Sequence, residues 1–176
     1  TVLAFDNDGV PYVAYGYSFN GKARVRKYDG TSWTAVGNTD FSTGGVRDVS
    51  IAFDSTNTPY VSYVDEGLSS KAVVMTLNGT TWEPVGTEGF TTGQVYDPSE
   101  LVVDSSDNLY LAFDDIAAGG GSAVVTYDGS SWVYVGGLAF ADGSRHSLTI
   151  DASDNLYVSF RDYDSNNKAT VMMYSP

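Results

Sequence analysis

The tryptophans constrain this chain most strongly, because each one stands in nearly the same run of residues. The first run reads Tyr28-Asp-Gly-Thr-Ser-Trp33 and continues Thr-Ala-Val-Gly37. The runs around Trp82 and Trp132 follow the same pattern, and successive tryptophans lie about 50 residues apart. A repeat of this length, made of short strand-like segments, is typical of a modular β architecture. We therefore expect one β unit that recurs along the chain.

Each repeat contains four strand-like runs, which we label A to D in chain order. Run A ends in an aspartate, and a tyrosine near the start of run B follows six residues later, as in Asp6 and Tyr12. The same spacing returns at Asp54 and Tyr60, Asp104 and Tyr110, and Asp151 and Tyr157. An Asp-Gly or Asn-Gly pair, a strong hairpin signal, follows run C in the first three repeats. Because the aspartates recur in every repeat, we expect them to stabilise the A–B turn.

Four antiparallel strands in each repeat of about 40–50 residues predict a β-propeller of four-stranded blades. The repeats span 1–48, 49–98, 99–146 and 147–176, and the last contains only runs A, B and C. We predict one all-β domain with three complete blades and a partial fourth. The tryptophans, and the phenylalanine that follows each D run (Phe41, Phe90 and Phe140), should fill the space between blades.

We do not expect these repeats to close a ring by themselves, because the fourth repeat lacks a D run: no tryptophan run follows Tyr174. An open stack of blades would expose sheet edges and apolar faces. We expect either that the chain is an excerpt of a larger propeller of about 6–8 blades, or that two copies self-associate as half rings.

Two short motifs resemble those of known propeller repeats. The segment Leu148-Thr-Ile-Asp-Ala-Ser-Asp-Asn-Leu-Tyr-Val158 resembles the A–B hairpin of NHL-type repeats, and Tyr-Asp-Gly-x-x-Trp is similar to the C–D turn of kelch repeats. The repeats as a whole resemble those of large secreted bacterial proteins. This resemblance implies a propeller fold with a general role in binding. Run B lacks the kelch double glycine, and Asp107 and Asp154 stand where NHL repeats usually have Gly, so no family site residue is carried over.

The charge balance limits the partners. The chain has 22 Asp and Glu against 9 Lys and Arg, a formal net charge of −13. Such a field repels nucleic acid and anionic membranes, and it suits cations or neutral ligands such as glycans. The chain has no cysteine, which excludes disulfides and thiolate metal sites. No apolar run approaches the ~18 residues of a membrane span.

Length varies among the repeats in the B–C loops and the D–A connections. In a four-stranded blade these segments emerge on one side, which we call the loop face, and the A–B and C–D turns form the opposite turn face. Variable loops on a rigid scaffold are where binding residues usually lie. The candidate ligand-binding residues are Arg47, Tyr96, Arg145 and His146 from D–A connections, and Tyr17, Asp65, Asp115 and Asp162 from B–C loops.

Tyr17, Asp65, Asp115 and Asp162 occupy equivalent positions in the four repeats. In one interpretation, the aspartates form a ring of carboxylates near the channel mouth. Such a ring could hold a cation or accept hydrogen bonds from sugar hydroxyls. In the interpretation that we favour, each aspartate caps its own B–C turn by accepting backbone N–H groups. We predict no cofactor, with calcium as the alternative.

His146 is the only histidine, which excludes a multi-histidine metal site within one chain. A catalytic triad of His146, Ser147 and Asp97 can be drawn, but no nucleophile-elbow motif accompanies it. We therefore interpret His146 as a solvated loop residue.

We favour a non-enzymatic binding or surface-assembly module that is secreted or lies on the cell surface. Its loop face would bind a glycan or a protein partner. The repeat, the absence of a catalytic motif, the low Lys content and the richness in Thr, Ser, Gly and Asn motivate it. Two alternatives remain: a propeller hydrolase or lyase with carboxylates at the channel mouth, and a structural repeat of an extracellular filament.

Overall fold

The computed structural model describes residues 1–18, 20–96, 100–117, 120–138 and 140–175. Within them, strands form four separate antiparallel sheets, one for each repeat in chain order. Three sheets contain a complete A–B–C–D set, and the last contains A, B and C. The prediction of three complete blades and a partial fourth is confirmed. The described part of the chain has no helix that is long and apolar enough to cross a membrane.

The blades are made of sixteen strands and one short 3-10 helix in the described residues. Blade 1 consists of β1 (Val2–Phe5), β2 (Pro11–Gly16), β3 (Ala23–Tyr28) and β4 (Trp33–Ala35). Blade 2 consists of β5 (Val46–Phe53), β6 (Pro59–Asp65), the helix η1 (Glu66–Leu68), β7 (Lys71–Asn78) and β8 (Thr81–Pro84). Blade 3 consists of β9 (Val95–Tyr96), β10 (Leu101–Val103), β11 (Leu109–Asp115), β12 (Gly121–Tyr127) and β13 (Trp132–Tyr134). Blade 4 consists of β14 (Gly143–Ile150), β15 (Leu156–Asp162) and β16 (Lys168–Tyr174).

An aspartate stabilises the A–B turns, as predicted. Asp54 Oδ1 accepts hydrogen bonds from the backbone N–H groups of Thr56 and Thr58 at 2.9 and 2.8 Å. Asp104 and Asp151 accept the equivalent bonds in blades 3 and 4. A side chain that satisfies two turn amides favours this turn over other local conformations. The A–B hairpins therefore have one geometry, which sets the register of the strands that they join.

The A–B turns of neighbouring blades are also bonded to each other. The backbone N–H and the hydroxyl of Ser55 donate to the Asp107 carboxylate at 2.7 and 2.8 Å, and Ser105 donates to Asp154 in the same way. Asp107 and Asp154 adopt the left-handed conformation, with φ of 65° and 62°. The position where NHL repeats usually have Gly thus keeps a backbone conformation that glycine favours, and its carboxylate joins adjacent blades.

The core lies between the blades. Three clusters of buried side chains join blades 1 and 2, blades 2 and 3, and blades 3 and 4, with Tyr63, Phe113 and Leu148 among their largest fully buried members. The A strands of successive blades are neighbours, which is the arrangement that a propeller centre requires. Each blade is therefore stabilised by the apolar faces of the blades beside it.

Candidate functional site

The B–C loops and the D–A connections lie together at one end of the sheets. The Val46 N–H at the start of β5 donates to the Gly21 carbonyl in the B–C loop of blade 1, at 2.9 Å. The Val95 N–H at the start of β9 donates to the Ser70 carbonyl in the B–C loop of blade 2, at 3.0 Å. The loop face is therefore held by main-chain bonds between successive blades.

Asp65 is fully buried at the end of β6, and its carboxylate is surrounded by backbone donors. It accepts hydrogen bonds from the N–H groups of Thr43 at 2.9 Å, Gly44 at 2.8 Å and Gly67 at 2.8 Å. Gly44 is required here, because a Cβ at that position would lie 2.3 Å from the Gly67 nitrogen. Asp65 thus caps its own B–C turn and also holds the preceding D–A connection, a geometry that favours the capping interpretation.

The equivalent aspartates also bond to the chain's own donors. Asp115 is fully buried and accepts a hydrogen bond from the Tyr134 hydroxyl. Burial, then this bond and the aspartate charge, raise the pKa of Tyr134 to about 12. Asp162 accepts bonds from Thr170 Oγ1 at 2.9 Å and the Ser165 N–H at 3.0 Å, and bonds from these two side chains are the largest causes that lower its pKa. In the described chain no three His, Asp or Glu side chains are grouped to hold a metal ion.

His146 is not a solvated loop residue, because its side chain has no exposed surface. Nε2 lies 2.6 Å from Ser122 Oγ and 3.2 Å from Asp114 Oδ1, so the ring reaches from blade 4 into blade 3. A β-bulge between Ser144 and Ser147 turns it inward, and Arg145 adopts φ of 59° in that bulge with its side chain exposed.

The contacts of His146 differ from those of a catalytic triad. Ser122 and Asp114 face the same ring nitrogen, whereas a triad places the nucleophile and the acid on opposite nitrogens. The hydroxyl of Ser147 lies 3.4 Å from Glu100 Oε2, and Asp97 lies outside the described residues. The equivalent position in blade 2 carries Val49, which packs into the apolar cluster between blades 1 and 2. His146 is therefore a polar member of a boundary between blades.

Within the described residues, the loop face carries three tyrosine–arginine pairs, which the sequence patterns did not predict. The Arg24 guanidinium lies 3.5 Å from the ring centroid of Tyr17. The equivalent distance is 5.6 Å both for Arg47 with Tyr96 and for Arg161 with Tyr163. A cation over an aromatic face is attracted by the ring quadrupole within about 6 Å. Tyr96 and Tyr163 are 46% and 43% exposed, so both reach solvent with an arginine beside them.

Further contacts hold these pairs in place. Arg24 makes two bonds to Asp40, Nε to Oδ1 at 2.6 Å and Nη2 to Oδ2 at 3.0 Å, which lower the pKa of that carboxyl. Arg47 donates to Asp48 at 2.7 Å and to the Val95 carbonyl at 3.0 Å. The Tyr163 hydroxyl lies 2.6 Å from Ser144 Oγ. The pairs are therefore partly ordered by the protein's own contacts.

Solved structures similar to this chain are propeller-type proteins, and the likeness at these identities shows the fold. A fucose lectin from Kordia zhangzhouensis has a TM-score of 0.50 and 18% identity, covering 77% of this chain and 97% of the lectin. A gluconolactonase from Xanthomonas campestris has a TM-score of 0.59 and 14% identity, covering 99% of this chain and 56% of the enzyme. A GH93 α-L-arabinofuranosidase of Fusarium graminearum has a TM-score of 0.57 and 18% identity, covering 90% of this chain and 54% of the enzyme.

The fold and the comparisons together define an all-β propeller. This chain spans little more than half the length of the gluconolactonase and of the arabinofuranosidase. No family model matches the sequence, and neither does any curated protein. The resemblance to NHL and kelch repeats stays a prediction.

Proposed function

We propose that this chain is a non-enzymatic binding module, secreted or on the cell surface, whose loop face binds a neutral carbohydrate. The observation that carries this proposal is the set of tyrosine–arginine pairs on that face. An exposed tyrosine ring offers a flat apolar surface for the C–H face of a sugar ring, and the guanidinium offers several fixed donors to hydroxyl oxygens. Tyr96 and Tyr163, with Arg47 and Arg161 beside them, combine both surfaces.

The charge of the chain and the similar structures support this ligand class. A net charge of −13 disfavours anionic ligands and leaves neutral ones unaffected. The similar structures include a lectin in complex with methyl-fucoside and an arabinofuranosidase in complex with arabinobiose. These two neutral sugars are therefore suitable first probes.

Two carboxylates of the loop face, those of Asp65 and Asp115, support binding over hydrolysis. Glycoside hydrolysis commonly uses two carboxyl groups that flank the bond to be cleaved. Asp65 and Asp115 are fully buried and bonded to the chain's own donors. We therefore assign both aspartates a structural role in the fold. The tyrosine–arginine pairs are the groups that contact the ligand in this proposal.

The test compares Tyr96→Ala and Tyr163→Ala with a matched control on the turn face, Tyr28→Ala. Calorimetric titration with methyl-fucoside, arabinobiose and a panel of neutral oligosaccharides should show saturable binding to the wild type. We expect at least about a tenfold loss of affinity, equivalent to about 1.4 kcal/mol, in each loop-face variant and none in the control. Equal binding by all four proteins, or no saturable binding of any neutral sugar, would contradict the proposal.

A further inference from the structure

A tryptophan from blade 2 packs into the boundary between blades 1 and 2. The Trp82 ring of β8 stacks on Phe41, with centroids 4.8 Å apart and planes at 21°. Its Nε1 donates to the Val36 carbonyl at 2.9 Å. Gly37 leaves room for the indole, because a Cβ there would lie 2.9 Å from Trp82 Nε1. We call this combination of a valine carbonyl, a glycine and a phenylalanine the tryptophan socket.

The boundary between blades 2 and 3 repeats the arrangement. The Trp132 ring of β13 stacks on Phe90, with centroids 4.8 Å apart and planes at 19°. Nε1 donates to the Val85 carbonyl at 2.8 Å. A Cβ on Gly86 would lie 3.5 Å from Trp132 Cδ1. Two independent copies in this chain therefore show what a tryptophan socket binds.

The boundary between blades 3 and 4 has the same three socket residues and a cavity beside them. Val135, Gly136 and Phe140 stand at the socket positions, and all three line a cavity of about 220 Å³. Among the described residues, apart from the two chain neighbours of Gly136, no atom lies within 4 Å of the position that a Cβ on this glycine would take. The cavity is larger than the ~150 Å³ that accommodates a benzene ring in an engineered protein core. Apolar side chains complete it, among them Val124, Val158 and Met172.

The cavity lies along the edge of blade 4. In the described residues β16 pairs with β15, whereas the equivalent strands β7 and β12 pair on their other side with the tryptophan strands β8 and β13. Met172 and Tyr174 of β16 line the cavity and are partly exposed. An edge strand beside an apolar cavity is a template for an added strand.

We propose that the edge of β16 and the socket of Val135, Gly136 and Phe140 form a docking site for an extended peptide strand that carries a tryptophan. The occupant is a strand of the sequence type Asp-Gly-x-x-Trp-x-x-Val-Gly, because strands of closely related sequence already fit the two equivalent sockets of this chain. It pairs antiparallel with β16, as β13 pairs with β12, and adds a strand to the sheet. Its indole stacks on Phe140 and donates to the Val135 carbonyl.

This site is independent of the carbohydrate proposal, because it lies at a blade edge and involves none of the tyrosine–arginine pairs. A fluorescein-labelled peptide with the sequence of residues 127–137 is the probe, and its fluorescence anisotropy is measured as the full chain is added. We expect saturable binding in the micromolar range for this peptide. Changing its tryptophan to alanine should weaken binding at least about tenfold, since the peptide then has no ring for the socket.

The protein variants are Phe140→Ala, which removes the stacking surface, and Leu138→Ala as the control. Leu138 is a nearby exposed residue that does not line the cavity. Phe140→Ala should lose peptide affinity at least about tenfold, and Leu138→Ala should keep it. Circular dichroism checks that both variants are folded, and the two peptides on the wild type test the proposal even where Phe140→Ala unfolds.

Three results would overturn the proposal. The first is no saturable binding of the tryptophan peptide to the folded chain. The second is equal affinity for the tryptophan and alanine peptides. The third is a concentration-dependent dimer in sedimentation that Phe140→Ala abolishes while no peptide binds, which would make a second copy of this chain the occupant.

Discussion

At the residue scale, equivalent tryptophans have different environments according to the blade in which they stand. Trp82 is 4% exposed because blade 1 covers it, whereas Trp33 in blade 1 is 40% exposed and has Tyr28 of its own blade beside it. Both residues occupy the same position of the repeat, directly after the C–D turn. The neighbouring blade therefore decides how much free energy each indole contributes.

Substitution of these two tryptophans should separate packing from hairpin propensity. Trp82→Ala should lower the free energy of unfolding by about 3–5 kcal/mol, as expected for a large aromatic residue removed from a core. Trp33→Ala serves as the matched control and should cost less than half as much, because a large part of its surface already meets water. Urea unfolding measured by circular dichroism gives both values. Equal losses would show that the indoles act within their own hairpins.

At the element scale, the C–D turns depend on one aspartate each in blades 1 and 3. Asp128 Oδ1 accepts bonds from the N–H groups of Ser131 at 2.8 Å and Ser130 at 2.9 Å, and these bonds are the main cause that lowers the pKa of Asp128 to about 2. Asp29 makes the same contacts in blade 1, and its pKa is also lowered. The turn of blade 2 has Asn78 at this position, so a neutral side chain is compatible with the hairpin.

The Asp128→Asn variant should therefore change how stability depends on pH. A folded-state pKa of about 2, below the unfolded value of about 3.9, means that the unfolded chain binds the proton first as pH falls. The stabilisation by the carboxylate is complete above about pH 4 and is lost as pH falls towards 2. We expect the melting temperature of the wild type to exceed that of Asp128→Asn at pH 6, and the difference to vanish near pH 2. A difference that is constant from pH 6 to pH 2 would contradict this account.

At the scale of the whole molecule, the described chain is a stack in which each blade packs against the blades beside it. The middle strands of the inner blades are covered on both faces, and every residue of β11 is buried. The residues of β16 in blade 4 are almost all exposed, including Val171 and Met173. In such a stack, stability follows from the contacts between neighbours, so it should be lowest at this end.

Hydrogen exchange should show this gradient directly. We expect the amides of β16 to exchange at least about a hundredfold faster than those of β11 and β6, because local opening at blade 4 exposes little buried apolar surface. Exchange measured by mass spectrometry on peptides from each strand provides the comparison. The strand β7 is the internal control, since it is equivalent to β16 but is covered by β8. Equal protection of β7 and β16 would show that the blades unfold as one unit.

Much of the fold follows from local sequence patterns. The Asp-to-Tyr spacing around Asp54 and the Asp-Gly pair at Asp128 act through turns of a few residues, so each repeat specifies its own hairpins. The expected position of Phe41 and Phe90 between blades is also confirmed, and there each ring stacks on the tryptophan of the next blade. The number of blades and the strand order were accordingly predictable.

The candidate site was only partly predictable, because its contacts join blades that are distant in sequence. Asp65 stood out as a B–C residue, but its bonds to Thr43 and Gly44 depend on how blade 1 meets blade 2. The pairing of Arg47 with Tyr96 likewise links two blades.

The strands, the turns and the repeating blade depend on residues close together in the chain, so local sequence specifies them. Which of the equivalent residues are buried depends instead on contacts between blades. The tertiary structure covers Trp82, leaves Trp33 half-exposed, and turns His146 inward through a bulge. It also leaves a cavity beside Phe140 where the two equivalent phenylalanines meet an indole. The physical reason is that burial is a property of two packed surfaces, and one repeat specifies only its own.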